Sequence, residues 1–311
     1  MKQTKVSLIA VVFGAFFWLL PSVGETATKT VNCNVPGKTL QGAIDKAKAG
    51  DTFQVINGST CIENVVVNVS HERITIDGLG SATINGPDAT SPTINVGGRR
   101  ITIKGFTITG GQEGIHTIRG GNAIIDGNTI QNTGRSGIGI HNQSSAIIVN
   151  NTIQNNPDDG INVIGGSNAF IGVRSGSDTE ASPNTIQNNG RHGVLVTRSS
   201  NARVVGNTIK DNTENGVFVD RVSQADISKN VIDNNSGDGI TVGRNSGVNL
   251  GSDLGDGIFD APNDTTVGQE NTGNGIRCFL NSYADGRLGT LKGIDGPKDG
   301  FGVGGCRDSL I

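Results

Sequence analysis

The hexapeptide Asn151–Asn156, NTIQNN, occurs again without change at Asn184–Asn189. Its first residue belongs to a series of N-[TV]-I triplets separated by 23, 33, 23 and 23 residues, which begin at Asn128, Asn151, Asn184, Asn207 and Asn230. Glycines that precede an apolar residue keep the same spacing: Gly114, Gly137, Gly160, Gly193, Gly216 and Gly239. Because two independent markers share one period and one ten-residue insertion, the sequence predicts an array of structural repeats.

Each repeat contains three short segments of β-type composition, such as GIGI at 137–140, AII at 146–148 and NTI at 151–153. Turns rich in Gly, Asn and Asp separate them and leave no room for a crossover helix. Stacked coils pair each strand with its equivalent one repeat later, about 4.8 Å away, which predicts a parallel β-helix. The repeated Asn then stacks its amide on the next Asn, so we interpret the polar hexapeptide as an internal hydrogen-bonded ladder.

The residues before the repeats predict a cap. After Pro36 and Gly37, one helical face carries Leu40, Ala43, Ile44 and Ala47, and Gly50 ends the pattern. A short amphipathic helix there would cover the open end of the first coil and protect its unpaired strand edges.

The segments TLQGAIDKAKAGDTFQV (39–55) and RITIDGLG (73–80), with the NTI and NVI coils and their GI or GV partners, resemble the right-handed parallel β-helix proteins of the pectate-lyase-like superfamily. The resemblance covers most of residues 37–276. It implies an all-β fold, a single-stranded right-handed parallel β-helix (solenoid) with a short N-terminal capping helix. We assign 25–70 to the N-terminal cap and first coil, 71–276 to the repeats and 277–311 to a C-terminal cap. The superfamily includes polysaccharide lyases, glycoside hydrolases, epimerases, esterases, adhesins and non-enzymatic proteins, so the fold does not choose a function.

Residues 1–24 have the layout of a secretory signal peptide: Lys2 and Lys5, an apolar run over 6–20, then Pro21 and small residues. We therefore expect a secreted or periplasmic protein that is cleaved after Gly24, does not insert into the membrane and is a monomer. Without the two lysines, 23 basic residues face 28 acidic ones, a formal net charge of −5. General affinity for nucleic acid is excluded on this basis.

The four cysteines form two pairs, each separated by 28 residues, one near each end of the mature chain. In an oxidising compartment this spacing predicts disulfides between Cys33 and Cys61 and between Cys278 and Cys306.

In a β-helix, residues at one repeat position form a row on the surface. Two positions before the marker glycine, the row alternates in charge, which indicates a self-neutralising ladder of Arg135, Asp158, Arg191 and Glu214. One position before the glycine lie Asp159 and His192 in neighbouring coils. They are similar to part of the polygalacturonase signatures, whose paired acids hydrolyse glycosides, but a structural pairing of the two residues is the favoured interpretation.

Five positions after the glycine the row is Arg119, Asn142, Gly165, Arg198, Arg221 and Arg244. Three arginines stack on consecutive coils, and Asp220 is the obvious counter-charge. Like charges one coil apart repel by about 0.9 kcal/mol per neighbouring pair even in water. An anionic ligand such as an acidic polysaccharide would offset this, because guanidinium matches carboxylate bidentately. The alternative is a solvated row of charge.

If the protein is an enzyme, a uronate lyase or epimerase is the expected type. Arg198 and Arg221 would neutralise the uronate carboxylate or supply the base, as Arg does in the pectate lyases that the chain resembles. His141, in the column beside Asp220, is another candidate base, and Asp220 completes the catalytic set. Arg119, Arg244 and Asn142 are the predicted substrate-binding residues. The competing hypothesis is a non-catalytic extracellular or periplasmic scaffold or surface-interaction protein.

Two loops interrupt the period, at 171–184 and 250–263, and their 79-residue offset predicts that they project from the same side. The second loop offers Asp253, Asp256 and Asp260, followed by Asp264. These hard oxygen ligands make Ca²⁺ the one cofactor candidate, although a hydrated turn explains the same residues.

Overall fold

The computed structural model describes residues 26–251, 255, 257–301 and 307–310. The predicted signal peptide, Asp253, Asp256 and Cys306 lie outside the described residues. In chain order the elements are β1 (Thr28–Val31), α1 (Leu40–Ile44), β2 (Thr52–Val55), β3 (Thr60–Ile62), β4 (Val65–Val67), β5 (Thr75–Gly86), β6 (Ile94–Val96), β7 (Ile101–Gly110), β8 (Ile115–Thr117), β9 (Asn122–Asp126), β10 (Thr129–Gln131), β11 (Ile138–His141), β12 (Ser145–Val149), β13 (Thr152–Gln154), β14 (Ile161–Ile164), β15 (Asn168–Ile171), β16 (Thr185–Gln187), β17 (Val194–Thr197), β18 (Asn201–Val205), β19 (Thr208–Lys210), β20 (Val217–Asp220), β21 (Gln224–Ser228), β22 (Val231–Asp233), β23 (Ile240–Val242), β24 (Gly247–Leu250), a 3-10 turn at Gly257–Phe259, β25 (Asn274–Cys278), β26 (Tyr283–Gly286), β27 (Gly296–Asp299) and β28 (Arg307–Leu310).

The strands stack in register as a parallel solenoid. One face, called here the ten-stranded face, has the order β27-β25-β23-β20-β17-β14-β11-β8-β6-β4. The other strands form two further faces, which the long strands β5 and β7 join at a corner by taking part in both. Equivalent residues pair from coil to coil: Thr129 with Thr152 and Thr152 with Thr185. The predicted parallel β-helix is confirmed.

The core is built from columns of β-branched residues. On the ten-stranded face, Ile138, Ile161, Val194, Val217 and Ile240 follow one another in register and have no exposed surface. Alternate residues of each strand point inward because successive side chains of a strand lie on opposite faces. The outward residues of the same strands are left to form a surface.

Polar ladders run through the turns beside this core. Asn184 donates from its backbone N–H and from Nδ2 to Asn207 Oδ1, at 3.0 and 2.8 Å, and Asn151 donates to Asn184 in the same way. A second ladder contains Asn156, Asn189, Asn212, Asn235 and Asn271. The interpretation of the NTIQNN repeats as internal ladders is therefore confirmed.

A third ladder, of serines, was not predicted. The backbone N–H of each serine donates to the hydroxyl of the next, through Ser144, Ser167, Ser200, Ser223, Ser246 and Ser282. The first five of these serines recur seven positions after the marker glycines from Gly137 to Gly239, so the sequence contained the signal.

The N-terminal end is closed as predicted. Helix α1 begins after Thr39, whose side chain accepts from the backbone N–H of Gly42, and it buries Leu40 and Ile44 completely. Cys33 and Cys61 form a disulfide. Cys278 is also disulfide-bonded, and its predicted partner lies outside the described residues. Strands β25 to β28 continue the parallel pairing beyond residue 276.

The two long loops lie on one side of the solenoid. Val173 from the first loop and Ile258 and Phe259 from the second form a small apolar cluster with Val205, separate from the main core. This agrees with the common projection that the 79-residue offset predicts. Within the described residues, no helix has the length and apolar character needed to cross a membrane.

Candidate functional site

A groove of about 470 Å³ crosses the outer surface of the ten-stranded face over strands β11, β14, β17 and β20. Outward side chains of these strands line it, among them Asn162, Leu195 and Phe218 from one row. The turns that precede and follow the strands contribute charged residues at its two sides. The groove is therefore a product of stacking, since each coil contributes only a few residues to it.

One wall carries the predicted arginine row. Arg198, Arg221 and Arg244 all line the groove and have φ values of 58°, 54° and 51°. Non-glycine residues seldom adopt this left-handed region, and here the turn repeats it on three consecutive coils. The following residues, Ser199, Val222 and Asn245, also have positive φ. The wall is thus a repeated turn, which places one arginine on each of three consecutive coils.

Asp220 is the acid that pairs with this wall. Its Oδ2 lies 2.8 Å from Arg244 Nη1 and 3.5 Å from Arg221 Nε, and its side chain is only 5% exposed. Among the described residues no carboxylate forms an ion pair with Arg198. One buried acid therefore serves two arginines, and the row keeps an excess of positive charge.

The opposite wall is the alternating row. Arg191 lies between Asp158, at 2.8 Å, and Glu214, at 3.8 Å, and Arg135 lies 3.5 Å from Asp158. The predicted self-neutralising ladder is present. Arg135, Asp158 and Arg191 line the groove as well, so the two walls differ: one is balanced and the other is cationic.

Asp159 and His192 lie beneath this balanced wall. Their contact runs through the backbone, because His192 N–H donates to Asp159 Oδ1 at 3.3 Å. The His192 ring accepts at Nδ1 from the N–H of Asn215 and lies 3.1 Å from Glu214 Oε2 through Nε2. The predicted structural pairing of Asp159 with His192 is therefore present through the backbone N–H of His192, while the His192 ring faces Glu214 of the next coil.

Burial controls the protonation of this pair. It raises the pKa of Asp159 to about 7, although the neighbouring Arg191 acts in the opposite direction. It also lowers the pKa of His192 to about 4, with Arg191 adding to the effect. Asp159 therefore holds its proton to near neutral pH, and His192 stays neutral there.

A chain of hydrogen-bonding groups lies at the end of the groove that His141 lines. Glu113 Oε2 is 3.3 Å from His116 Nδ1, and His116 Nε2 is 3.0 Å from His141 Nδ1. His141 Nε2 is 2.6 Å from Asn162 Oδ1, and Asn162 Nδ2 donates to Ser136 Oγ at 2.8 Å. Burial raises the pKa of Glu113 to about 7, lowers that of His116 to about 4 and lowers that of His141.

The other predicted site residues fall in different places. Asn142 lines the groove, whereas Arg119 occupies the same turn three coils before Arg198 and does not line it. His141 shares a row with Asp220, but Ile164 and Thr197 separate them, so the two do not meet.

Asp260, the described member of the predicted Ca²⁺ set, lies 3.4 Å from Arg287 Nη1 through Oδ1. Asp264, which follows the loop, accepts from the Thr290 hydroxyl at 2.8 Å. Within the described part of the chain, neither belongs to a group of three ligands close enough for one ion. The Ca²⁺ site stays a prediction, because Asp253 and Asp256 lie outside the described residues.

Sequence reasoning missed Glu113, His116 and Asn162. His116 and His141 stand in different columns of adjacent coils, so comparing residues within one column does not reveal their contact. Both histidines occupy outward positions of the ten-stranded face in adjacent coils, and this proximity is the signal that could have identified their contact.

The fold agrees with a family model. The model described as "Right handed beta helix region" matches residues 27–171 and 92–253, which together span more than half of the chain. The chain belongs to the right-handed beta helix family. The handedness implied by the sequence resemblance is thereby confirmed.

Similar proteins were found by sequence and by structure. A cell surface glycoprotein of Methanothermus fervidus is 34% identical over 115 residues, which are 37% of this chain and 19% of that protein. The match thus spans about a fifth of its length. The crystal structure of pectate lyase Pel9A has a TM-score of 0.59 at 13% identity, over 93% of this chain and 80% of that one. The periplasmic alginate epimerase AlgG has a TM-score of 0.51 at 14% identity, over 91% and 83%. These structures share the fold with this chain.

Proposed function

We propose that the protein is exported and binds an acidic polysaccharide, a polyuronate, in the groove of the ten-stranded face. The arginine wall is the observation that carries the proposal. Arg198, Arg221 and Arg244 project from consecutive coils, with Asp220 as their shared acid. Carboxylates repeated along a sugar chain would offset the excess charge, and guanidinium binds carboxylate bidentately.

The floor of the groove suits sugar rings. Leu195 and Phe218 are neighbours in register and both line it. The apolar C–H faces of a pyranose can pack on such side chains while its carboxylates reach the wall. Asn142 and Asn162 add hydrogen-bonding groups at the end near His141.

The comparisons support the substrate class and the location. Pectate lyase and alginate epimerase are named for acidic polysaccharides, and both share this fold. The sequence relative is named a cell surface glycoprotein, in keeping with the signal peptide predicted at residues 1–24. The proposal is for binding. Both ring nitrogens of His141 lie within hydrogen-bond distance of described partners, and we assign His141 no catalytic role.

Binding is tested by affinity electrophoresis in gels that contain alginate or polygalacturonate. We expect the double variant Arg198→Gln/Arg221→Gln to bind at least about tenfold more weakly than the wild type, since it loses two charged contacts. Lys104→Gln/Lys210→Gln is the control, because it removes the same charge from strands outside the ten-stranded face. Wild-type protein that binds neither polymer, or equal binding by both double variants, contradicts the proposal.

The same polymers test the predicted lyase chemistry. After incubation with purified protein, absorbance of unsaturated uronate measures β-elimination directly. If the absorbance rises with the wild type and does not rise with Arg198→Gln, the protein cleaves the polymer as well as binding it. A flat trace on both polymers removes lyase activity on them and leaves binding and epimerisation.

A further inference from the structure

Two histidines meet beside the groove with their ring nitrogens facing each other. His116 Nε2 and His141 Nδ1 are 3.0 Å apart. The distal nitrogen of each ring has an oxygen partner: Glu113 Oε2 lies 3.3 Å from His116 Nδ1, and Asn162 Oδ1 lies 2.6 Å from His141 Nε2. Each neutral ring carries one proton. Whether that proton lies on the facing nitrogen depends on whether the partner of the distal nitrogen accepts or donates a hydrogen bond.

Asn162 makes a second hydrogen bond. Its Nδ2 donates to Ser136 Oγ at 2.8 Å while its Oδ1 faces His141 Nε2, an arrangement that places the His141 proton on Nε2. Glu113 Oε2 faces His116 Nδ1, and the tautomer of His116 with its proton on Nδ1 matches this arrangement. The two facing nitrogens then direct lone pairs at each other across 3.0 Å. A cation bound by both lone pairs removes their repulsion.

We propose that His116 and His141 bind a divalent transition-metal ion, with the carboxylate of Glu113 as the third member of the site. The ligand atoms of these three residues lie within 4.8 Å of one another. Imidazole suits Zn²⁺ and its neighbours in the first transition row. In tetrahedral coordination, with Zn–N bonds of about 2.0–2.1 Å, the two facing nitrogens need to move apart by only a few tenths of an ångström. Metal-binding histidines also characteristically donate their other N–H to a carboxylate or carbonyl oxygen, and such an oxygen lies 3.3 Å from His116 Nδ1 and 2.6 Å from His141 Nε2.

The proposed metal site lies beside the groove. His141 lines the groove, so an ion bound to its Nδ1 would lie close to a ligand in the groove. Arg135 and Arg198 are neighbouring cations that oppose a dication, whereas the neighbouring carboxylate of Asp158 favours it. Metal binding does not depend on the proposed polysaccharide and is measured without it.

The test is isothermal titration of Zn²⁺ into the full, untagged protein. We expect one ion per chain, bound with micromolar or tighter affinity, and a higher thermal midpoint in its presence. His141→Ala and His116→Ala should each weaken binding at least about tenfold, and Glu113→Gln by about 10–100-fold. His71→Ala and His192→Ala are matched controls, because they remove the remaining histidines and leave this cluster intact. The absence of saturable binding, or binding that survives His116→Ala/His141→Ala, overturns the proposal and leaves a hydrogen-bonded chain that starts from a protonated Glu113.

A second measurement covers the case in which the histidine variants do not fold. X-ray absorption at the zinc edge of the wild-type protein with one equivalent of Zn²⁺ reports the ligands directly. Scattering from two imidazole rings supports the site. A shell made only of oxygen or sulfur ligands overturns it.

Discussion

At the scale of single residues, buried amides determine how one coil meets the next. Asn184 is 1% exposed and bonds Asn207, the carbonyl of Ile148 and the backbone of Asn151. The surrounding groups have no access to water, so each bond that is lost leaves a buried donor or acceptor unpaired.

Replacing Asn184 by Ala should therefore lower the free energy of unfolding by about 2–4 kcal/mol, because several buried groups lose their partner together. Asn201→Ala is the matched control: Asn201 lies in the same coil but is exposed, and a change within about 0.5 kcal/mol is expected. Urea unfolding followed by circular dichroism measures both. Equal effects of the two substitutions would show that the ladder is not a source of stability.

A buried carboxyl makes stability depend on pH. The folded-state pKa of Asp159, about 7, exceeds its ordinary value of 3.8, so the native state holds the proton that the unfolded chain releases. The stabilisation that the Asp159 carboxyl group gives the folded state is present below pH 4 and is lost as the pH rises to 7. Asp159→Asn cannot ionise and avoids this loss.

The unfolding free energy of Asp159→Asn should accordingly rise relative to that of the wild type by about 2–4 kcal/mol between pH 4 and pH 8. Asp88→Asn provides the contrast, because hydrogen bonds from Thr90 and Ser91 lower the pKa of Asp88, and its difference from the wild type should be flat above pH 5. Chemical unfolding at a series of pH values gives both curves. A constant difference for Asp159→Asn would mean that this carboxyl is ionised throughout.

At the scale of elements, the marker glycines set how closely the turns approach the ten-stranded face. A Cβ atom on Gly193 would lie 2.4 Å from Ile209 Cγ2 and 2.7 Å from the carbonyl oxygen of Gly216. Neither the core isoleucine nor the backbone of the next coil can yield that space. The spacing of these glycines in the sequence thus has a steric cause.

Gly193→Ala should cost about 3 kcal/mol of stability or more, from overpacking against both neighbours. Gly176→Ala is the control, since its added methyl group would meet only the end of the Arg203 side chain, at 3.3 Å. The shift in the urea midpoint measures each. A midpoint for Gly193→Ala within error of the control would contradict the steric account.

The strands and turns of the solenoid could be predicted from the sequence, whereas several side-chain contacts between coils could not. The strands, turns and Asn ladders repeat with the chain, so a one-dimensional period predicts them. The contact of His116 with His141, and the sharing of Asp220 by Arg221 and Arg244, depend on how far each coil is offset from the next and on side-chain conformations. The arginine row was predicted because it follows one column, whereas Glu113 and His116 were missed because their contacts cross columns.

At the scale of the whole molecule, the solenoid converts repeated sequence positions into a surface with two unlike walls. The wall of Arg135, Asp158, Arg191 and Glu214 has two charges of each sign, and the wall of Arg198, Arg221 and Arg244 is cationic. An anionic chain lying along the axis would meet one arginine per coil rise of about 4.8 Å. This match between ligand and scaffold is the central claim.

The most direct measurement is a crystal structure of the protein with a hexameric uronate, at a concentration that titration has shown to saturate binding. The account predicts sugar density along the groove, with carboxylates against the guanidinium groups of Arg198 and Arg221 and rings over Leu195 and Phe218. Density at another face, with this groove occupied by solvent alone, would contradict it.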